Sequence, residues 1–186
     1  MNMEGAGPEL AYAWDGPPRL ELWTQQVSHN GRSWRQHRLV ADNGTPGVVV
    51  VGVHGGRFAM VEHWRPAAGR SFLEFPRGFG TPGAGPGRDA AERVLEDAAR
   101  ELREETGLAG THFRLLGQVW ADTSLLAGSA SVVTADLCPA DTLGPLDGEI
   151  DGLRWVDVEE FPRLMASGEI ADALTLAAHA HWLAAR

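Results

Sequence analysis

Hydrophobic and polar residues alternate in the first part of the chain and predict a β-hairpin. The alternation runs through residues 20–24, Asn30-Gly31 supplies a tight-turn pair, and residues 34–40 return as a second strand. Residues 1–18, which are rich in glycine and proline, are predicted to be a flexible leader. We therefore expect an N-terminal β arm over residues 19–45.

The rest of the chain, residues 46–186, carries patterns typical of a single α+β domain. The β-branched run at 48–53 predicts a strand buried on both faces, and residues 89–106 carry helix formers without a proline before Gly107. Between these lies the Gly/Pro-rich stretch 79–87, which predicts a loop. Further strands are predicted at 58–64, 111–121, 129–137 and 153–156, and further helices at 159–166 and 171–185.

Three glutamates at the end of the predicted helix 89–106 share one of its faces. Glu101 is three and four residues from Glu104 and Glu105, the spacing of neighbours on a helix. Like charges so placed repel by about 0.2–0.5 kcal/mol per pair, and the helix dipole prefers cations at this end. A divalent cation would remove both penalties. The alternative is a solvated face screened by Arg100 and Arg103.

Composition limits the partners that we expect. The chain has 186 residues with 16 basic against 25 acidic side chains, a formal net charge of −9. This acidity argues against nucleic acid and anionic membranes as partners, but not against a small phosphorylated substrate, because a bound cation can reverse the local field. No apolar run approaches the roughly 20 residues that span a bilayer, and the N-terminus lacks a signal-peptide pattern. The single cysteine, Cys138, is expected to be a buried thiol in a reducing compartment, which predicts a cytoplasmic location.

The order of residues from Glu92 to Leu108 resembles the signature box of the Nudix hydrolases. The matching run is Arg100-Glu101-Leu102, one residue, Glu104-Glu105, one residue, Gly107-Leu108, and seven residues separate Glu92 from its start. The resemblance implies an α/β/α sandwich around a mixed β-sheet. It also implies hydrolysis of a nucleoside diphosphate linked to another moiety, with Mg²⁺ or Mn²⁺. By the same resemblance Glu101, Glu104 and Glu105 are the metal-binding and catalytic glutamates, and Arg100 orients them.

The chain departs from the family pattern at one place. The box begins with a glycine six residues before its first glutamate, and that position is Pro86 here. The equivalent glycine is Gly78, 14 positions before Glu92, which implies an insertion of eight residues in the Gly/Pro-rich loop. Insertions in such loops cost little. The resemblance implies that the Gly78 carbonyl faces the metal.

Residues outside the box are similar to the ADP-ribose pyrophosphatase branch. The similarity lies in residues 61–65, 73–78 and 168–176, and the hairpin resembles the arm through which those enzymes form homodimers. The expected substrate is ADP-ribose or a nucleotide sugar. Two alternatives are a non-catalytic nucleotide-binding regulatory module and a Nudix enzyme acting on nucleoside triphosphates.

Substrate-binding residues are expected beside the segment Glu74-Phe75-Pro76. Arg65, Arg70 and Arg77 could hold diphosphate or ribose oxygens by forked hydrogen bonds, or could pair with surface acids. Glu74 could bind metal or ribose, or cap a turn.

The general base is expected on a loop across the site. Glu149 is the first candidate, since the neighbouring Gly148 and Gly152 permit movement over the substrate. Asp147 and Asp151 are its rivals, and a solvated acidic turn is the remaining interpretation.

Overall fold

The fold is given by a computed structural model that describes residues 7–82, 88–138, 148 and 150–186, with only the backbone described at 88 and 89. The strands are β1 (Glu9–Trp14), β2 (Leu20–His29), β3 (Arg32–Ala41), β4 (Gly47–His54), β5 (Arg57–Arg65), β6 (Arg70–Glu74), β7 (Arg77–Phe79), β8 (Ala109–Val119), β9 (Ala130–Cys138) and β10 (Gly152–Asp157). The helices are α1 (Arg88–Thr106), α2 (Phe161–Ser167) and α3 (Ala173–Ala184).

The N-terminal arm is a three-stranded antiparallel sheet in the order β1-β2-β3. Its β2–β3 hairpin is confirmed, and both turn residues, Asn30 and Gly31, have the positive φ angles that an Asn-Gly turn requires. The flexible leader predicted for residues 1–18 is wrong for residues 9–14, which form β1. The reason is that β2 has a second open edge, and this short segment of alternating apolar residues pairs with it.

The main sheet has seven strands and is mixed, as predicted. Its principal order is β10-β5-β4-β9-β8, with β6 beside β5 and β7 beside β4. The β4–β9 pair is parallel and the other pairs are antiparallel. The short strands β6 and β7, which flank Phe75-Pro76, were not predicted.

Helices cover both faces of this sheet and produce the α/β/α sandwich. Successive valines of β4 point to opposite faces, so that Val49 and Val51 join one hydrophobic cluster and Val50 joins the other. The first cluster includes residues of α2 and α3, and the second includes Leu102 of α1. Each of these valines is fully buried, and burying such a side chain contributes about 1.5–3 kcal/mol. The packing of Leu102 fixes which face of α1 is turned to the sheet.

The structure bears on the expected burial of Cys138 and on the question of membrane-spanning helices. The prediction of a buried Cys138 is wrong, because Cys138 is the last residue of β9 and is exposed there, as is Asp136 two residues before it. None of the described helices is both long and apolar enough to cross a bilayer.

Candidate active site

The last turns of α1 place two glutamates beside the core. Leu102 is fully buried against the sheet, and the glutamates on its flanks, Glu101 and Glu105, are only 8% and 4% exposed. Glu104 lies further around the helix and is exposed. The helix ends at Gly107, whose φ of 69° allows its N–H to donate to the carbonyl of Arg103 at 2.8 Å.

Arg100 connects these glutamates to the neighbouring strand. Its Nη1 lies 2.8 Å from Glu101 Oε1 and 2.9 Å from Glu104 Oε2, and its Nη2 donates to the carbonyl of Phe79 at 2.9 Å. The guanidinium therefore fixes the direction of two carboxylates. This geometry fits the orienting role that the resemblance implies.

Gly78 packs directly against the Glu101 carboxylate. Gly78 lies in β7, opposite Val48 of β4, and a Cβ atom added to it would stand 2.2 Å from the carboxylate carbon of Glu101. Only glycine leaves room for this side chain. The loop insertion before Glu92 thus leaves Gly78 beside the carboxylate helix; residues 83–87 of that loop lie outside the described residues.

The charge balance at Glu101 favours an added cation. Burial raises the pKa of Glu101, Arg100 opposes that shift, and the nearby carboxylates of Glu104 and Asp97 reinforce it. The net direction is upward, which means that the ionised form of this carboxylate is less favoured here than in water.

A divalent cation fits this donor set after a small rearrangement. Within the described part of the chain, no three Asp, Glu, His or Cys side chains already converge as a metal site. The reason is that Glu104 is turned to Arg100 at the surface, while Glu105 Oε2 accepts the N–H of Arg77 at 3.1 Å. Hard oxygen donors, two of them on buried carboxylates, are suited to Mg²⁺ or Mn²⁺, which also retain water ligands.

One of these glutamates, Glu105, lines a cavity of about 420 Å³ that opens between the arm and the main sheet. Its polar wall includes Glu105, Arg65 and Arg77, and its apolar wall includes Leu39 of the arm and Leu174 of α3. This volume lies within the range of small-molecule sites, about 300–1,000 Å³.

The two cavity arginines share one buried carboxylate. Glu74 is 1% exposed, and its oxygens accept hydrogen bonds from Arg65 Nε at 3.1 Å, Arg65 Nη2 at 2.5 Å and Arg77 Nε at 2.9 Å. Burial alone would lower the pKa of Arg65, but its hydrogen bonds and attraction to Glu74 outweigh burial and raise it. Glu74 thus holds both arginines at the cavity.

Arg70, the third arginine considered from the sequence, lies elsewhere. It stacks on Phe72, donates to the carbonyl of Gly168 at 2.9 Å and does not line the described cavity. Only two of the three candidates are therefore placed to meet a ligand there.

The sequence analysis missed two parts of the cavity wall. One is His63, which lines it beside Arg65; the spacing of two residues on a strand places them on one face and could have indicated it. The other is the arm itself. Leu39 of β3 donates its N–H to Leu125 and accepts the N–H of Ala127, which joins the arm to the loop before β9.

The candidates for general base are only partly described. Glu149 and Asp147 lie outside the described residues. Asp151 is exposed, accepts a hydrogen bond from Ser71 Oγ at 3.5 Å and does not line the described cavity.

Comparisons with known proteins agree with this architecture. The sequence model of the NUDIX domain family matches residues 44–177. Phosphatase NudJ of Escherichia coli (strain K12) and of Shigella flexneri are each 33% identical over 109 residues, which is 56% of this chain and 63% of the relative. The chain thus spans less than two thirds of the length of these relatives. A crystal structure described as that of an ADP compounds hydrolase superposes with a TM-score of 0.73 at 19% identity, over 100% of this chain and 96% of the other.

Proposed function

The chain belongs to the NUDIX domain family, and we propose that it is a divalent-metal-dependent pyrophosphohydrolase. Its proposed substrate is a nucleoside diphosphate linked to another moiety, with ADP-ribose or a nucleotide sugar first. The observation that carries this proposal is the close placement of acidic and basic side chains at one cavity. Glu105 of α1 lines the same cavity as Arg65 and Arg77, and Glu101 is buried one helical turn before it, so that ligands for a hard cation and donors for phosphate oxygens stand side by side.

Glu101, Glu104 and Glu105 would hold Mg²⁺ or Mn²⁺, together with the carbonyl of Gly78. When bound, such an ion would neutralise charge on the phosphate oxygens and favour ionisation of the attacking water. Binding requires Glu104 to turn from its contact with Arg100, which its exposed position permits.

The other residues have roles in binding and proton transfer. Glu74 holds both guanidinium groups in place, and Arg65 and Arg77 would bind diphosphate oxygens through the N–H groups that Glu74 does not occupy. Glu149 is the proposed general base, which accepts the proton of the water that attacks phosphorus. Apolar side chains such as Leu39 and Leu174 would exclude water around the nucleoside.

A homodimer formed through the arm is part of the proposal. What supports it is the arm's surface: all of β1 is exposed, including the large apolar side chains of Leu10, Tyr12 and Trp14. Apolar groups exposed together in this way mark interaction surfaces.

A substrate panel tests the proposed activity. The purified protein with Mg²⁺ is incubated with ADP-ribose, nucleotide sugars, dinucleotides and nucleoside triphosphates, and phosphate is measured with and without a coupling phosphatase. Cleavage of a pyrophosphate bond in ADP-ribose or a nucleotide sugar yields two phosphomonoesters, so phosphate should appear only with coupling. Phosphate released without coupling would instead indicate direct phosphatase chemistry. Turnover of the triphosphates alone, or of nothing, would overturn the proposal.

Replacing Gly78 with alanine should disable the site without unfolding the protein. The new Cβ would stand 2.2 Å from the Glu101 carboxylate, so that side chain must move. Displacing a group around a metal site costs about 10- to 100-fold in metal affinity or activity, and we expect a loss of that size in kcat/KM.

The matched control is Gly7→Ala, just before β1, where an added Cβ meets nothing within 4 Å. That variant should keep wild-type activity. Equal activities for the two variants would show that Gly78 is not part of the active site.

A further inference from the structure

The N-terminus of α3 lies against the arginine pair. Asp172 is the N-cap of this helix, and its Oδ2 accepts hydrogen bonds from Thr175 N at 2.8 Å and Thr175 Oγ1 at 2.9 Å. Its other oxygen, Oδ1, lies 3.3 Å from Arg77 Nη2. One carboxylate therefore has two separate contacts, one that starts the helix and one that reaches the cavity.

Arg77 is held at several points. Its backbone N–H donates to Glu105 at 3.1 Å, its Nε donates to Glu74 at 2.9 Å, and its Nη2 faces Asp172. Two carboxylates on different elements thus restrain the guanidinium in two directions. Ordering a free arginine side chain on ligand binding costs rotamer entropy, and each restraint that already holds Arg77 reduces that cost.

The contact with Asp172 is also long-range in the chain, since α3 follows β7 by more than 90 positions. Leu174, two residues after Asp172, lines the same cavity. The start of α3 therefore forms part of the cavity wall. Asp172 is the side chain that connects this end of the helix to Arg77.

We propose that Asp172 is a positioning residue that holds the Arg77 guanidinium at the cavity for the diphosphate of the substrate. This inference rests on the proposed function for the identity of the ligand, but the positioning of Arg77 is independent of it. Asp172 acts through Arg77 and does not itself touch the substrate.

The substitution Asp172→Asn separates the two roles. Asparagine caps helices about as well as aspartate, so its single oxygen can still accept from Thr175 N. Its amide nitrogen then faces Arg77, and two donors repel each other. Asp172→Ser is the second variant, because serine also caps helices but is too short to reach the guanidinium.

We expect both variants to keep the wild-type melting temperature within about 2 °C and to raise KM about 2- to 10-fold with kcat nearly unchanged. In an Arg77→Gln background the same substitutions should add no further increase in KM, because the group that they position is gone. If Asp172 were only a helix cap, both variants would keep the cap and would leave KM as well as the melting temperature unchanged.

A crystal structure of Asp172→Asn provides a readout that needs no substrate. The guanidinium of Arg77 should leave the place that it occupies between Glu74 and residue 172. If the variant keeps Arg77 in place, or if KM stays at its wild-type value in an active enzyme, the inference is overturned. If the wild-type protein hydrolyses no member of the panel, the proposed function fails while the crystal structure still decides the positioning of Arg77.

Discussion

Replacing Glu105 with glutamine is expected to lower metal-dependent hydrolysis by about 100-fold or more while the protein remains folded. Glutamine has nearly the same shape and can still accept the N–H of Arg77, so the local packing should persist. It removes the negative charge that a hard cation requires. Loss of a residue that only supports a metal ligand costs about 10- to 100-fold, and loss of a ligand should cost at least as much. Steady-state kinetics over a Mg²⁺ titration, with a melting curve, measures both quantities.

The same helix provides the matched control. Glu96 is exposed on α1, outside the cavity, and Glu96→Gln makes the same change of charge. We expect this variant to behave as wild type. The stricter version is the double variant Glu104→Gln, Glu105→Gln, which should have no measurable activity. Substantial Mg²⁺-dependent turnover by the double variant would contradict the metal site.

The carboxylate helix could be predicted from sequence because its signals are local. Helix formers without a proline lead to Gly107, and the three- and four-residue spacing of Glu101, Glu104 and Glu105 follows from helix geometry alone. The strand β4 could also be predicted from its run of β-branched residues, because a strand that is buried on both faces lacks alternating polar positions. Patterns such as these need no knowledge of the rest of the fold.

The parts that the sequence did not reveal depend on pairing with other elements of the fold. The strand β1 forms because β2 presents an open edge, and β7 has only three residues, too few for a periodic signal. The cavity wall likewise depends on the contact between Leu39 and Leu125, which are far apart in the chain. No window of neighbouring residues contains that information.

The role of Glu74 illustrates the same limit at the level of one side chain. From the sequence alone, Glu74 could bind metal or ribose, or it could cap a turn. The structure instead shows that its two oxygens engage Arg65 and Arg77, which come from different strands. A buried carboxylate that pairs with two arginines also predicts a large effect on stability.

Replacing Glu74 with alanine is expected to destabilise the protein by about 3 kcal/mol, because removing one partner of a buried ion pair leaves partly buried charges uncompensated. For a chain of this length, that is a fall of about 6–12 °C in melting temperature. Glu74→Gln keeps one acceptor oxygen, and its stability should fall between those of the alanine variant and the wild type.

The control is Glu160→Ala, which breaks an exposed pair with Arg163 and should cost at most about 1 kcal/mol. Thermal unfolding of the three variants at one pH decides the order, and a Glu74→Ala shift no larger than the control's would mean that the network contributes little to stability.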